Sequence, residues 1–250
     1  MTWAKWVPRH YNKHRSSKPH DAPMGRRDIY FALDCEMVGV GPGGAESAVA
    51  RVAVVNWEGD VILDRYVRPH RPVTDYRTLL SGVRAEDLER GDTTSPEACR
   101  KEVEMILRGK ILIGHGVQND LRILGLSHPW TDVRDTSVYA PFMSQYVSDE
   151  GTVFLPRKLR DLVWERLGLH IQDTRMGHSP IEDATSAMGL YKAVRMKWET
   201  AMQEEMSALL NIEEMQKQQA MARNSYGVKY VPVHMLRLSQ KQGQPPMVPS

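Results

Sequence analysis

An α/β fold is predicted for this 250-residue chain by two patterns and by their order. Apolar, strand-like runs near residues 29–38, 49–56 and 60–68 follow one another through short connections, and helical patterns then alternate with short strands. With 41% hydrophobic residues, the chain can bury a full core.

Each element has a local reason. Residues 29–38 read as a buried strand interrupted by Asp34 and Glu36. Strand side chains alternate, so both carboxylates share one face while Leu33, Cys35 and Met37 share the other. Asn56-Trp57-Glu58-Gly59-Asp60 has the composition of a hairpin turn. Ser95-Pro96 opens a helix that Gly109 closes, and residues 157–167 form another, ended by Gly168. Between them, residues 111–121 read as a short buried strand, a glycine turn and a helix with Asp120 in its first turn, where the helix dipole keeps a carboxylate ionised. A long helix starts at Pro180, with Ser179 and Glu182 forming a capping box.

Two adjacent anions on an apolar strand repel each other and are costly to desolvate unless a cation neutralises them. Asp34 and Glu36 therefore ask for a metal. At the start of the long helix, His178 and Asp183 occupy the two positions where a hydrophobic staple normally sits. A polar pair where local rules expect an apolar one marks a functional site.

Asp34, Glu36, Asp120, His178 and Asp183, in that chain order, resemble the pattern of the DEDDh 3′-to-5′ exonucleases. Closer likenesses are Asp-Cys-Glu-Met-Val-Gly at 34–39, Asp-Tyr-Arg-Thr-Leu-Leu-Ser-Gly-Val at 75–83 and Gly-His-Ser-Pro-Ile-Glu-Asp-Ala at 177–184. Together these are similar to the eukaryotic branch of interferon-stimulated and Rex-type RNA exonucleases, over residues of about 28–197. The resemblance implies a ribonuclease-H-like mixed sheet flanked by helices, with the acids at one sheet edge. It also implies hydrolysis of single-stranded RNA from the 3′ end to nucleoside 5′-monophosphates, in RNA processing such as that of rRNA. Single-stranded DNA is left open as a second substrate.

Oxygen ligands without cysteine suit two Mg²⁺ or Mn²⁺ ions rather than zinc. Asp34 is expected to bridge both, Glu36 and Asp183 to complete the nucleophile-side ion, and Asp120 to hold the other, as the resemblance suggests. His178 is the expected general base. By resemblance, Met37, Arg77, Ser81 and Gly82 line a pocket for the terminal nucleotide, with Arg77 reading the ribose 2′-hydroxyl; the alternatives are a core methionine at 37 and a solvated surface arginine at 77. His115 either touches substrate or caps the following helix.

The net charge is only +2, but residues 1–27 set seven Lys and Arg against Asp21 alone, interleaved with Trp3, Trp6 and Tyr11. Such an arm fits phosphate tracking or a nuclear address, and otherwise a solvated tail. A nuclear, even nucleolar, location is expected ahead of a cytoplasmic one. Neither Cys35 nor Cys99 has metal-ligand spacing, and no stretch reaches membrane-spanning length. Trp198, Met202, Met206, Leu209, Ile212 and Met215 make an apolar stripe over a helix at 198–223, expected to pack on its own domain. A protein partner or dimer on that stripe is the alternative, and residues 224–250 read as a disordered tail.

Overall fold

The computed structural model describes residues 26–149, 151–172 and 177–225. Nearly all of the predicted basic arm and tail lies outside the described residues. The central mixed sheet contains β1 (Tyr30–Val40), β2 (Glu46–Asn56), β3 (Val61–Tyr66), β4 (Val73–Asp75), β5 (Ile111–Gly114) and β6 (Val133–Asp135). Its order is β3-β2-β1-β5-β6, with β4 also on β1. Residues Ser144–Ser148 (β7) and Gly151–Leu155 (β8) pair in a separate antiparallel hairpin. The helices are α1 (Thr78–Ser81), α2 (Ala85–Glu89), α3 (Pro96–Leu107), α4 (Val117–Leu124), α5 (Leu159–Leu167) and α6 (Pro180–Ser225).

The expected ribonuclease-H-like arrangement is present, and its local causes can be named. Asn56 closes the β2–β3 turn by accepting the backbone N–H groups of Gly59 (3.0 Å) and Asp60 (2.8 Å) on its side-chain oxygen. Ser95 caps α3 by accepting from Ala98 N–H, with Pro96 at the first helical position. Alternation along β1 sorts its side chains as expected. Leu33 and Cys35 join Val52, Val54, Cys99, Val103, Leu107 and Leu121 in one core beneath α3 and α4, while Val38 packs with Ala50, Val83 and Leu88 on the other face.

The first part of α6 is held by rings and one buried ion cluster. Trp198 stacks on Tyr139 with centroids 3.9 Å apart, and Tyr30 meets Trp57 and Tyr191 at tilted angles while those two rings meet edge to face. Fully buried Arg134, from β6, donates two hydrogen bonds to Glu199 at 2.7 and 2.8 Å, and Tyr191 donates a third.

The chain divides into two units between Glu199 and Thr200. In the second, the described residues continue α6. Along the apolar stripe, Met202 is buried, and Ile212 and Met215 are exposed. Side-chain spacing defines a face without guaranteeing that anything covers it. Among the described residues no helix is long and apolar enough to cross a membrane. Sequence patterning does not anticipate the β7–β8 hairpin, because Ser-Gln-Tyr-Val-Ser and Gly-Thr-Val-Phe-Leu lack a polar–apolar alternation.

Candidate active site

One edge of β1 is left open at the point where its acids lie. β5 pairs with β1 only at Tyr30–Ala32, and β4 only at Gly39 and Val40, so residues 33–38 have β2 alone as a strand neighbour. A bulge follows Glu36, since Glu36 faces Arg51 but Met37 faces Val49, leaving Ala50 as the extra residue. Bulges recur beside functional sites because they re-aim side chains.

Two helix starts bring further groups. Left-handed Gly116 (φ 72°) turns the chain from β5 into α4, placing Asp120 in its first turn, buried against Cys35. At the other start, Gly177 has φ 77°, and a Cβ there would lie 2.5 Å from the Gly82 Cα and Thr78 oxygen. Only glycine allows this approach. The next residue, His178, donates its backbone N–H to Leu80 O at 2.9 Å. The α1 segment is thus a cradle that fixes where His178 sits.

The result is a cavity of about 400 Å³ lined by Asp34, Glu36, His178 and Asp183 together with Leu80, His115, Lys158, Arg160 and Gln172. One ligand atom each from Glu36, His178 and Asp183 lie within 4.8 Å of one another. His178 Nδ1 stands 3.7 Å from Asp183 Oδ2.

Crowding of like charges shows in the acidities. Although part of its surface opens to the cavity, Asp34 titrates well above the usual carboxylate range, first through burial and then through Asp120, Asp183 and Glu36. Burial, then Asp183 and Asp120, pushes Glu36 up to about 9, with Arg51 opposing. Asp120 rises to about 8 through burial and Asp135, and Asp183 to about 6 through burial, with the Gln172 hydrogen bond pulling it down. Buried carboxylates this crowded are stable as anions only beside positive charge.

The remaining expected residues divide. Met37 is half-buried and packs against the β1–α3–α4 core. Arg77, left-handed at φ 50°, donates to Ser47 Oγ (2.9 Å) and Gly44 O (2.8 Å) and does not line the cavity. Buried Ser81 donates to Tyr76 O and accepts from Val83 N–H, while Gly82 ends α1 at φ 65°. Their block supports His178 through backbone rather than through side chains in the cavity. His115 does reach the cavity. Its ring bonds Thr136 Oγ1 (2.9 Å) and the Arg157 carbonyl (3.0 Å), and burial lowers its pKa.

The Exonuclease family described by the RNase_T model matches residues 31–191. The chain belongs to this exonuclease family. It is 48% identical over 170 residues to human RNA exonuclease 4, covering 68% of this chain and 38% of the human protein. It is 46% identical to Kluyveromyces lactis RNA exonuclease 4, covering 68% and 55%, and 39% identical to rat apoptosis-enhancing nuclease, covering 72% and 53%. The chain thus spans roughly a third to a little over half of these curated relatives. Among solved structures, the Neurospora crassa Pan2 catalytic unit (protease and nuclease domain) superimposes with a TM-score of 0.58 at 26% identity, over 78% of this chain and 33% of that one. The Saccharomyces cerevisiae Pan2 module in complex with AAGGA RNA shares the fold with a TM-score of 0.57 at 23% identity, over 85% and 35%.

For this exonuclease domain, the donor set fits hard divalent cations of the kind its family uses. The ligands are oxygen-rich, and buried Asp183 Oδ1 has no hydrogen-bond partner. Sequence reasoning missed Gln172, whose side-chain N–H donates to Asp183 Oδ2 at 2.8 Å while its backbone N–H donates to Glu182 Oε2 at 2.9 Å. No local pattern marks it. It also missed Lys158 and Arg160, two cations on the cavity wall at the start of α5 that read in sequence as ordinary surface charges.

Proposed function

We propose that the chain is a metal-dependent 3′-to-5′ exonuclease that hydrolyses single-stranded RNA from its 3′ end and releases nucleoside 5′-monophosphates. The observation that carries this reading is the convergence of Asp34, Glu36, Asp183 and His178 on one cavity, with Asp120 buried beside β1. The names of the relatives support RNA as the substrate.

When bound, two Mg²⁺ or Mn²⁺ ions would neutralise the phosphate and clamp its entering and leaving oxygens. Asp34 would be their shared ligand, Glu36 and Asp183 would complete one coordination set, and Asp120 the other. Burial, reinforced by Arg160, lowers the His178 pKa, so its ring is neutral near pH 7 and able to accept a proton. With Nδ1 turned towards Asp183, Nε2 is the nitrogen left to take that proton from water. Water oxygen bonds to phosphorus, the bond to the upstream O3′ breaks, and the terminal nucleotide leaves as its 5′-monophosphate. Lys158 and Arg160 offer charge to the substrate phosphates. The basic arm supports a nuclear location for RNA processing.

Purified protein incubated with 5′-end-labelled RNA and DNA, with Mg²⁺, Mn²⁺ or chelator, tests the reading. A ladder shrinking from the 3′ end, with monophosphates released only in metal, is expected on RNA. Internal cuts, or shortening unaffected by chelator, would refute it.

A further inference from the structure

The β7–β8 hairpin stands apart from the central sheet, yet both of its roots are fixed. Before it, Phe142 and Met143 are buried, and Tyr139 stacks on Trp198. After it, the Arg157 carbonyl is bonded by His115, a residue of the cavity wall. The register pairs Tyr146 with Val153 and Ser144 with Leu155, so Tyr146, Val153 and Leu155 lie on one face. They are 58%, 49% and 47% exposed.

Singly exposed apolar residues need no explanation, but an aromatic flanked by two aliphatics on a rooted hairpin makes a contiguous patch. Its placement says what covers it. Leu155 is followed within three residues by Lys158 and within five by Arg160, both on the cavity wall. Five residues of extended chain reach at most about 18 Å, so Val153, and Tyr146 opposite it, lie within that order of distance from Lys158. Apolar ring surface leading into a cationic cavity mouth is what a single strand needs: π-faces for its bases and positive charge for its phosphates.

Resting on the reading above, we propose that this hairpin face binds the single-stranded RNA upstream of the scissile bond, with a base stacked on Tyr146 and the intervening phosphates passing Lys158 and Arg160. The terminal nucleotide occupies the acid cavity, and the hairpin makes longer strands better substrates than short ones.

The test compares kcat/KM for the parent and Tyr146→Ser/Val153→Ser on oligoribonucleotides from dinucleotide to dodecamer, and on the p-nitrophenyl ester of uridine 5′-monophosphate, which fills the cavity alone. For the parent, kcat/KM rises with strand length. The double variant should lose about tenfold on the dodecamer, the scale of one base–aromatic stack, and nothing on the dinucleotide or the ester. Tyr146→Phe, which keeps the ring, should behave as the parent. Equal rates for variant and parent on the dodecamer would overturn the proposal and leave the patch to a protein partner. An equal loss on ester and dodecamer would overturn it too, by showing damage to the cavity itself. A parent that hydrolyses neither substrate would instead refute the exonuclease reading.

Discussion

Glu36 and Glu199 are the same side chain, both largely withdrawn from water, and the protein treats them oppositely. Burial raises the pKa of each. At Glu199 the two hydrogen bonds and charge of Arg134, with the Tyr191 hydroxyl, more than offset burial, and the carboxyl titrates below its ordinary range. At Glu36 the neighbours are Asp183 and Asp120, Arg51 offsets only part of their effect, and the carboxyl is pushed up to about 9. One cluster carries its own cation within the chain, whereas the other collects anions around a cavity. The first is arranged for stability and the second for a ligand of positive charge.

Asp34→Asn should separate the two regions most sharply. Removing one charge from the ion-binding set is expected to lower RNA hydrolysis on the order of 10⁴-fold, while the metal-free protein melts at an equal or higher temperature because like-charge repulsion falls. A drop in melting temperature without metal would mean that Asp34 is chiefly structural. His178→Ala should retain metal binding, read by calorimetry, and lose about 10²- to 10⁴-fold in kcat, the usual scale for a removed general base. Parent-like turnover at saturating metal would end that assignment.

Arg134→Met inverts the logic. It strands Glu199 as an uncompensated buried anion and is expected to cost about 3–5 kcal/mol of unfolding free energy in denaturant titrations. Activity per folded molecule should be unchanged. Replacing Arg134 and Glu199 together by apolar residues should recover most of the loss. If the double replacement were as unstable as the single one, packing rather than charge balance would be what the pair supplies.

The acid cavity also predicts the direction of a pH effect. Asp183, Asp120 and Glu36 have folded-state values raised to about 6, 8 and 9, above their unfolded values near 4. Between about pH 4 and 9 the folded protein therefore holds more protons than the unfolded one, so stability is present below that window and is lost as pH rises through it. With chelator, melting temperature should fall from about pH 5 to 9. Saturating Mg²⁺ or Mn²⁺ should reduce or reverse the fall, because the cation takes the place of the protons. A metal-free profile that rises with pH over that window would contradict the crowding of charge.

What was legible in the sequence follows the same division between local and assembled features. Asp34 and Glu36 stood out because strand alternation alone puts them on one face of an apolar run. The α6 start was legible from Ser179-Pro180, and the pairing of His178 with Asp183 from helix geometry. Arg77 stood out in its block, but the bonds that tie its guanidinium to Gly44 O and Ser47 Oγ span thirty or more residues, which no local rule supplies. The hairpin face, Lys158 and Arg160 also depend on tertiary placement. So does Gln172, which sits in a loop at φ 57° and would pass for a surface glutamine.

Gln172 supplies the smallest effect and the finest test. Its side chain donates to Asp183 Oδ2, and that bond holds the carboxyl down against burial. In Gln172→Ala the Asp183 carboxyl should titrate higher than about 6, so its proton competes with the metal further into the neutral range. Loss of one hydrogen bond to a carboxylate is worth about 1.5 kcal/mol, which corresponds to roughly tenfold in metal affinity. The loss should be largest near about pH 6 and shrink towards about pH 8.5, where Asp183 is ionised with or without Gln172. Metal titrations at the two pH values measure it. An equal loss at both would assign Gln172 to orienting the carboxylate rather than to keeping it charged.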